Sequence, residues 1–268
     1  MTAMRLAQAG LLIGLTAAVV ALSVNVWLAA RLIEQQQRGS RERAFWILCQ
    51  PGTTPADRAA AFLMLAAGGN KEWRSADLRE LNLAGIKLPG ADLQGALFHN
   101  ANLAGANLAS ARIAKGSFAQ ADLSGADLGE ADLSEMQLFR TRLNRTNLRR
   151  AKLRNAYLQE AQAEKADLMV ADLSEADCLM ANLSGAKLNG ANLTGAKLEG
   201  TVLRGANLSL ARFDGANLKD ADFSNANWWR ARGFTPEQVE LFRKKFAPAP
   251  DADPALKLDY EQWTTRKR

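Results

Sequence analysis

The sequence predicts an all-β solenoid with an apolar helix ahead of it and short helical caps at both ends. Three observations carry that prediction. Residues 76–230 repeat every five residues without an insertion. The apolar fraction of 48% consists largely of Ala and Leu, with aromatics at only 7%. Charges twenty residues apart are opposite far more often than alike. A core built from two residue types needs many small, identical environments, which stacked repeats supply and an ordinary globule does not.

The elements follow in chain order. Residues 1–8 are a short flank. Between Arg5 and Arg31 lie 25 residues without a charge, dense in apolar side chains over 9–30. About 20 helical residues cross a hydrocarbon core of roughly 30 Å, so 9–30 is expected as a transmembrane anchor with Trp27 at its interface. Arg31, Arg38, Arg41 and Arg43 follow the run and only Arg5 precedes it, so the positive-inside bias places the repeat on the cytoplasmic side of a single-pass protein. The alternative is a cleaved signal peptide with Leu11–Leu22 as its apolar stretch, which would make the chain secreted or periplasmic. Against it, Val26-Trp27-Leu28-Ala29-Ala30 lacks a good small-x-small cleavage site.

Residues 31–75 read as juxtamembrane and capping helices. A short helix over Ser40–Cys49 is stopped by Pro51-Gly52. Thr54 as N-cap and Pro55 at the first helical position start a second one. Its apolar side runs Ala59, Phe62, Leu63, Ala66, and Gly68-Gly69-Asn70 ends it.

Over 76–230 the repeat makes 31 units, and 23 of their central positions are Leu. Ala stands two residues before the centre in 24 units, with a residue that is usually Asp, Asn, Lys or Arg between the two. A period of five fits neither a helix nor an alternating strand. Ala and Leu two apart point the same way on an extended segment, and the residue between them points out. The remaining two residues, as in Ser124-Gly125, must turn the chain through a corner. The charges say how many corners close a coil. Within 76–230, pairs at offset 20 are 11 opposite and 1 alike, against 8 and 5 at offset 15 and 6 and 5 at offset 25. Opposite charges stacked on neighbouring strands are favourable, so four units make one coil. Asp92, Arg112, Asp132, Lys152 and Asp172 form a ladder that alternates in sign at every step, and Arg145 over Lys165 is the exception.

Units such as Ala121-Asp122-Leu123-Ser124-Gly125 and Ala191-Asn192-Leu193-Thr194-Gly195 resemble the A-[DN]-L-x-x pattern of the pentapeptide-repeat family. The resemblance implies a right-handed quadrilateral β-helix, and at the four units per coil that the charges give, 31 units make about eight coils, a rod of roughly 37 Å at ~4.8 Å per coil. After it, 231–246 reads as a capping helix started by Thr235-Pro236-Glu237, with Val239, Phe242 and Phe246 closing the last coil. Residues 247–268 read as a flexible, basic-ended tail.

Little in the sequence points to catalysis. Cys49 and Cys178 make neither a disulfide framework nor a metal motif. Cys178 and Ala163 occupy central positions and read as core. His99 follows a centre and is expected to face outward. No catalytic, cofactor-binding or metal site, and no small-molecule substrate, is expected. The net charge of +6 lies at the chain ends, because 76–230 holds 18 basic and 18 acidic side chains. Nucleic acid is therefore not an expected partner. One band departs from neutrality. Arg140, Arg142, Arg145, Arg149, Arg150, Lys152 and Arg154 lie together without an acid, next to Asp122, Asp127, Glu130, Asp132 and Glu135. That band is the candidate interaction patch, and Arg145, Arg149 and Arg154 lack an opposite charge one coil away. The expected function is a membrane-anchored, non-catalytic scaffold that binds a protein. The family resemblance adds the alternative of a DNA-mimicking topoisomerase-binding protein, which a neutral rod does not favour.

Overall fold

A computed structural model describes residue 43 and residues 53–67, 69 and 71–266. The expected span at 9–30 and the short helix at 40–49 lie outside them, apart from Arg43. Among the described residues, no helix is long and apolar enough to cross a membrane.

Each pentad satisfies its own backbone. In the unit Ala121–Gly125, Asp122 N donates to Ala101 O one coil below, while Leu123 N and Gly125 N donate to Arg142 O and Asn144 O one coil above. Ala126 N closes the corner by donating to Leu123 O at 3.0 Å, with Gly125 at φ +67, the positive third position of a type II turn. One donor, Ser124 N, is left over. The Asp122 carboxylate accepts it at 2.9 Å. Asp127, Asp132, Asp172, Asn182, Asn192, Asn207 and Asp222 repeat that contact in their own units. The preference for Asp or Asn between Ala and Leu thus has a physical cause. A short side-chain acceptor is needed there for an otherwise unpaired N–H.

Every bridge between coils joins a residue to the one twenty positions later, in parallel register. Four units therefore close one coil, as the charges indicate. The Ala and central side chains turn inward and are buried almost without exception, including Ala163 and Cys178. Where Thr replaces Ala, at Thr141, Thr146 and Thr201, the buried hydroxyl donates to a carbonyl at 2.7–2.8 Å and stays satisfied. Phe98 and Phe118 stack with centroids 4.7 Å apart. Gly116 lies so close to the coil below that a Cβ there would come within 2.4 Å of Ala96 O.

The pattern begins one unit before residue 76, with Trp73 at a centre and Glu72 bridged to Asp92. Residues 71–230 make eight coils, about 38 Å of rod at ~4.8 Å each. Faces 1 to 4 are numbered from the units that begin at 71, 76, 81 and 86.

Helix α1 (Pro55–Ala67) covers the first coil. Thr54 Oγ1 accepts from Asp57 N at 3.2 Å, Phe62 packs on Trp73 at 4.3 Å, and Arg58 Nη2 donates to the carbonyls of Asp77 and Arg79. At the other end, a 3-10 turn at Trp228–Arg230 leads to helix α2 (Pro236–Lys245). Thr235 and Gln238 form a reciprocal capping box there. Phe242 and Phe246 close on Phe223, at 4.7 and 5.8 Å between centroids.

The expectation of a flexible tail over 247–268 is corrected by helix α3 (Pro254–Arg266). Ala255 N donates to the Asp253 side chain at 2.7 Å. Tyr260 and Trp263 set their rings against Trp228 at 6.2 and 5.4 Å. Asp259 accepts from Trp229 Nε1 at 2.7 Å and pairs with Arg230. Trp228 is fully buried, with Phe242 of α2 and Tyr260 and Trp263 of α3 set against its ring.

Candidate interaction surface

With the core filled, the outward positions are left to do the chemistry. The seven basic residues of the band span fifteen positions, three quarters of a coil, so they are not on one side. Arg140 stands at the corner of face 2, Arg142 on face 3, and Arg145 at the corner of face 3. Arg149 and Arg150 stand at the corner of face 4, Lys152 on face 1, and Arg154 at its corner. The band is a girdle around the rod.

Its members also differ in pairing. Arg140 pairs with Glu160 at 2.7 Å, Arg142 with Asp122 at 3.6 Å and Arg150 with Glu130 at 3.4 Å, each across one coil. Arg149 Nη1 reaches Asp167 at 3.4 Å, an offset of 18 rather than 20, and touches Met169 Sδ. Among the described residues, Arg145, Lys152 and Arg154 are in no ion pair.

The ladder has all its backbone bridges, Asp92 to Arg112, Asp132, Lys152 and Asp172. Among the described residues, it closes as an ion pair only at its first rung, Asp92–Arg112 at 2.5 Å. Asp172 accepts instead from Ser174 N and Asn192 Nδ2. Asp92 is buried at 2% exposure, held also by Arg74 and Gln94 N. Burial pushes its carboxyl up. The Arg74 and Gln94 hydrogen bonds and the Arg112 charge outweigh that and hold it below the usual carboxylate range.

His99 is half-buried, with Nε2 3.0 Å from Ser117 Oγ. Cys178 is enclosed, and burial pushes its thiol up to about 12, far from a reactive thiolate.

A recess of about 460 Å³ opens at the corner of face 3, lined by Ser124, Gly125, Asn144, Arg145, Glu164 and Lys165. It could not be read from the band, because its two cations are twenty residues apart and Lys165 lies outside 140–154. Its signal was the single like-charged pair at offset 20 within 76–230. Exposed apolar side chains were also missed, notably Tyr157, Val170, Leu179, Met180 and Leu210, each in a slot that is otherwise mostly polar. Leu179 and Met180 stand at the corner of face 2, and Val170 and Leu210 at the diagonally opposite corner.

A rod of eight four-sided coils, with a filled interior and capped ends, is a repeat solenoid. Pentapeptide repeats match residues 76–113, 117–155, 151–190 and 191–227, in eight copies, and the chain belongs to the pentapeptide-repeat family, the right-handed β-helix solenoids. Similar solved structures include a trypsin-treated QnrB1, a plasmid-mediated fluoroquinolone resistance protein, at 16% identity and TM-score 0.39, covering 64% of this chain and 96% of that one. HetL, involved in heterocyst differentiation regulation in the cyanobacterium Nostoc sp. strain PCC 7120, is 29% identical, with TM-score 0.23 and coverage of 64% and 95%. Rfr23 from the cyanobacterium Cyanothece 51142 is 24% identical, with TM-score 0.32 and coverage of 58% and 87%. No curated protein matches the chain.

Proposed function

We propose that the chain is a non-catalytic scaffold, tethered to a membrane by residues 9–30, whose rod offers its outer faces to a protein partner on the cytoplasmic side. The observation that carries this reading is the division of each coil. Inward positions are filled by Ala and Leu down to nearly zero exposure, so recognition falls to the outward residues. Those outward residues are mixed in charge and include exposed Tyr157, Val170, Leu179 and Met180, side chains of the kind that anchor protein interfaces. The apolar run of 25 uncharged residues supports the tether.

Proximity labelling from the full chain in native membranes tests the scaffold against residues 1–50 carrying the same labelling enzyme. The full chain is expected to enrich a protein set that the short segment does not, and identical sets reject the scaffold. Alkaline carbonate extraction tests the tether, since the full chain should remain in the membrane pellet and its release would exclude an integral anchor. A supercoiling assay with a type II topoisomerase is expected to show no inhibition, because the rod lacks the net negative charge that mimicry of DNA requires.

A further inference from the structure

We propose that the corner recess of face 3 is a binding site for a phosphate group, held by Arg145 and Lys165. The corner position of this column is Gly85, Gly105 and Gly125 below, and Gly185, Gly205 and Asn225 above. Only Arg145 and Lys165 interrupt that edge with long cationic side chains. Arg145 N donates to Glu164 O at 2.9 Å, so the two corners are fixed one above the other, about 4.8 Å apart. Both hold positive φ, +57 and +56, where glycine would be the less strained residue.

Two costs therefore meet at one place: strained backbone, and the only two cations stacked at offset 20 within residues 71–230. In the other like-charged stacks, Glu72–Asp92 and Arg212–Arg232, Asp92 and Arg212 each hold an opposite charge. Like charges stacked on neighbouring strands destabilise, and neither Arg145 nor Lys165 is in an ion pair among the described residues. An anion seated between them removes the repulsion.

The other lining groups give the anion its identity. Asn144 Oδ1 is taken by Glu164 N at 2.9 Å, which leaves the Asn144 amide N–H₂ as a donor. The Ser124 hydroxyl also lines the recess. A guanidinium, an ammonium, an amide and a hydroxyl around a tetrahedral oxyanion suit a phosphate group better than a single carboxylate. The one acid in the lining, Glu164, is turned to Asn182 Nδ2 at 2.8 Å. Gly125 beneath leaves open space within 4 Å of its would-be Cβ, so a ligand can approach the backbone. The site requires neither the tether nor a protein partner.

Calorimetric titration of inorganic phosphate into the full chain in neutral detergent, at constant ionic strength, tests the assignment. The variant R145G/K165G restores the glycine edge, so it should fold at least as stably, as unfolding curves will show. It is expected to lose phosphate affinity by at least about tenfold, the loss of two charge-assisted contacts. The variant K152Q/R154Q removes the same charge outside the recess and should bind like wild type, and E164Q should bind more tightly. Equal losses in the two double variants would reduce the effect to diffuse charge and overturn the site, as would no binding by wild type. Vesicles carrying a phosphomonoester lipid, against phosphatidylcholine vesicles, then separate the sources: competition with phosphate assigns a lipid headgroup, and its absence a soluble phosphate.

Discussion

Arg112 Nη2 donates to the Asp92 carboxylate one coil below it at 2.5 Å, and that carboxylate is buried while the guanidinium stays exposed. The pair ties the second coil to the third, and Arg74 adds a second cation from the first. Because the folded Asp92 titrates below its unfolded value, near 3.9, its contribution is complete above that pH and is lost as pH falls through the folded value. Asp77, Asp122 and Asp222 are lowered as well and act in the same sense. The unfolding midpoint should therefore hold from pH 7 to about 5 and drop below 4. Asp92→Ala should cost about 2–3 kcal/mol at pH 7, and its acid slope should be shallower in denaturant titrations across pH.

Gly116→Ala should be among the most damaging single changes in the rod. The added Cβ would stand 2.4 Å from a backbone oxygen, beside the stacked Phe98 and Phe118, so main chain has to move. A loss of about 2–3 kcal/mol is expected in chemical unfolding. Gly125→Ala meets no atom within 4 Å and should cost about 1 kcal/mol from its positive φ alone. Equal losses would mean that close packing at Gly116 is not the cause.

Cys178 should serve as an internal reporter of unfolding. In a Cys49→Ala background, iodoacetamide at pH 8 should leave Cys178 unmodified in the native protein, since the thiol is enclosed and pushed up to about 12. Labelling, followed by mass spectrometry, should rise together with global unfolding. Rapid labelling under native conditions would contradict the packing of that coil.

Asp259 joins α3 to the end of the rod through Trp229 and Arg230. Asp259→Ala should lower stability by about 1–2 kcal/mol and make cleavage after residue 246 faster in limited proteolysis. If proteolysis and stability are both unchanged, α3 does not secure the cap.

The rod was legible because its rules recur in every unit. Centre, Ala and corner are stated many times over, and the offset of twenty is written independently in charge. The opening unit was not, since Lys71-Glu72-Trp73-Arg74-Ser75 has neither the Ala nor the Leu, although Trp73 stands five residues before Leu78. Helix α3 left a fainter mark. Asp253-Pro254 is a start signal, and Leu256, Tyr260 and Trp263 share a face, but Ala247-Pro248-Ala249-Pro250 and the basic end read as a tail. The basic band shows a different limit. Fifteen consecutive residues look like a patch on paper, yet a four-sided coil sends them to four sides. Neighbourhood in this molecule is set at twenty, which is how Lys165 comes to stand over Arg145.

The register of twenty also fixes how the chain can change in length. Loss of a single residue inside the rod would shift every later Ala and Leu out of the interior and strand each Asx acceptor from its N–H. Loss of five keeps the interior but turns everything beyond the cut through a quarter revolution, moving whole columns of charge to new sides. Loss or duplication of twenty removes or adds one storey and leaves each side as it was. Among length variants of this chain, tolerated differences should therefore fall in fives, and those that preserve a binding face in twenties.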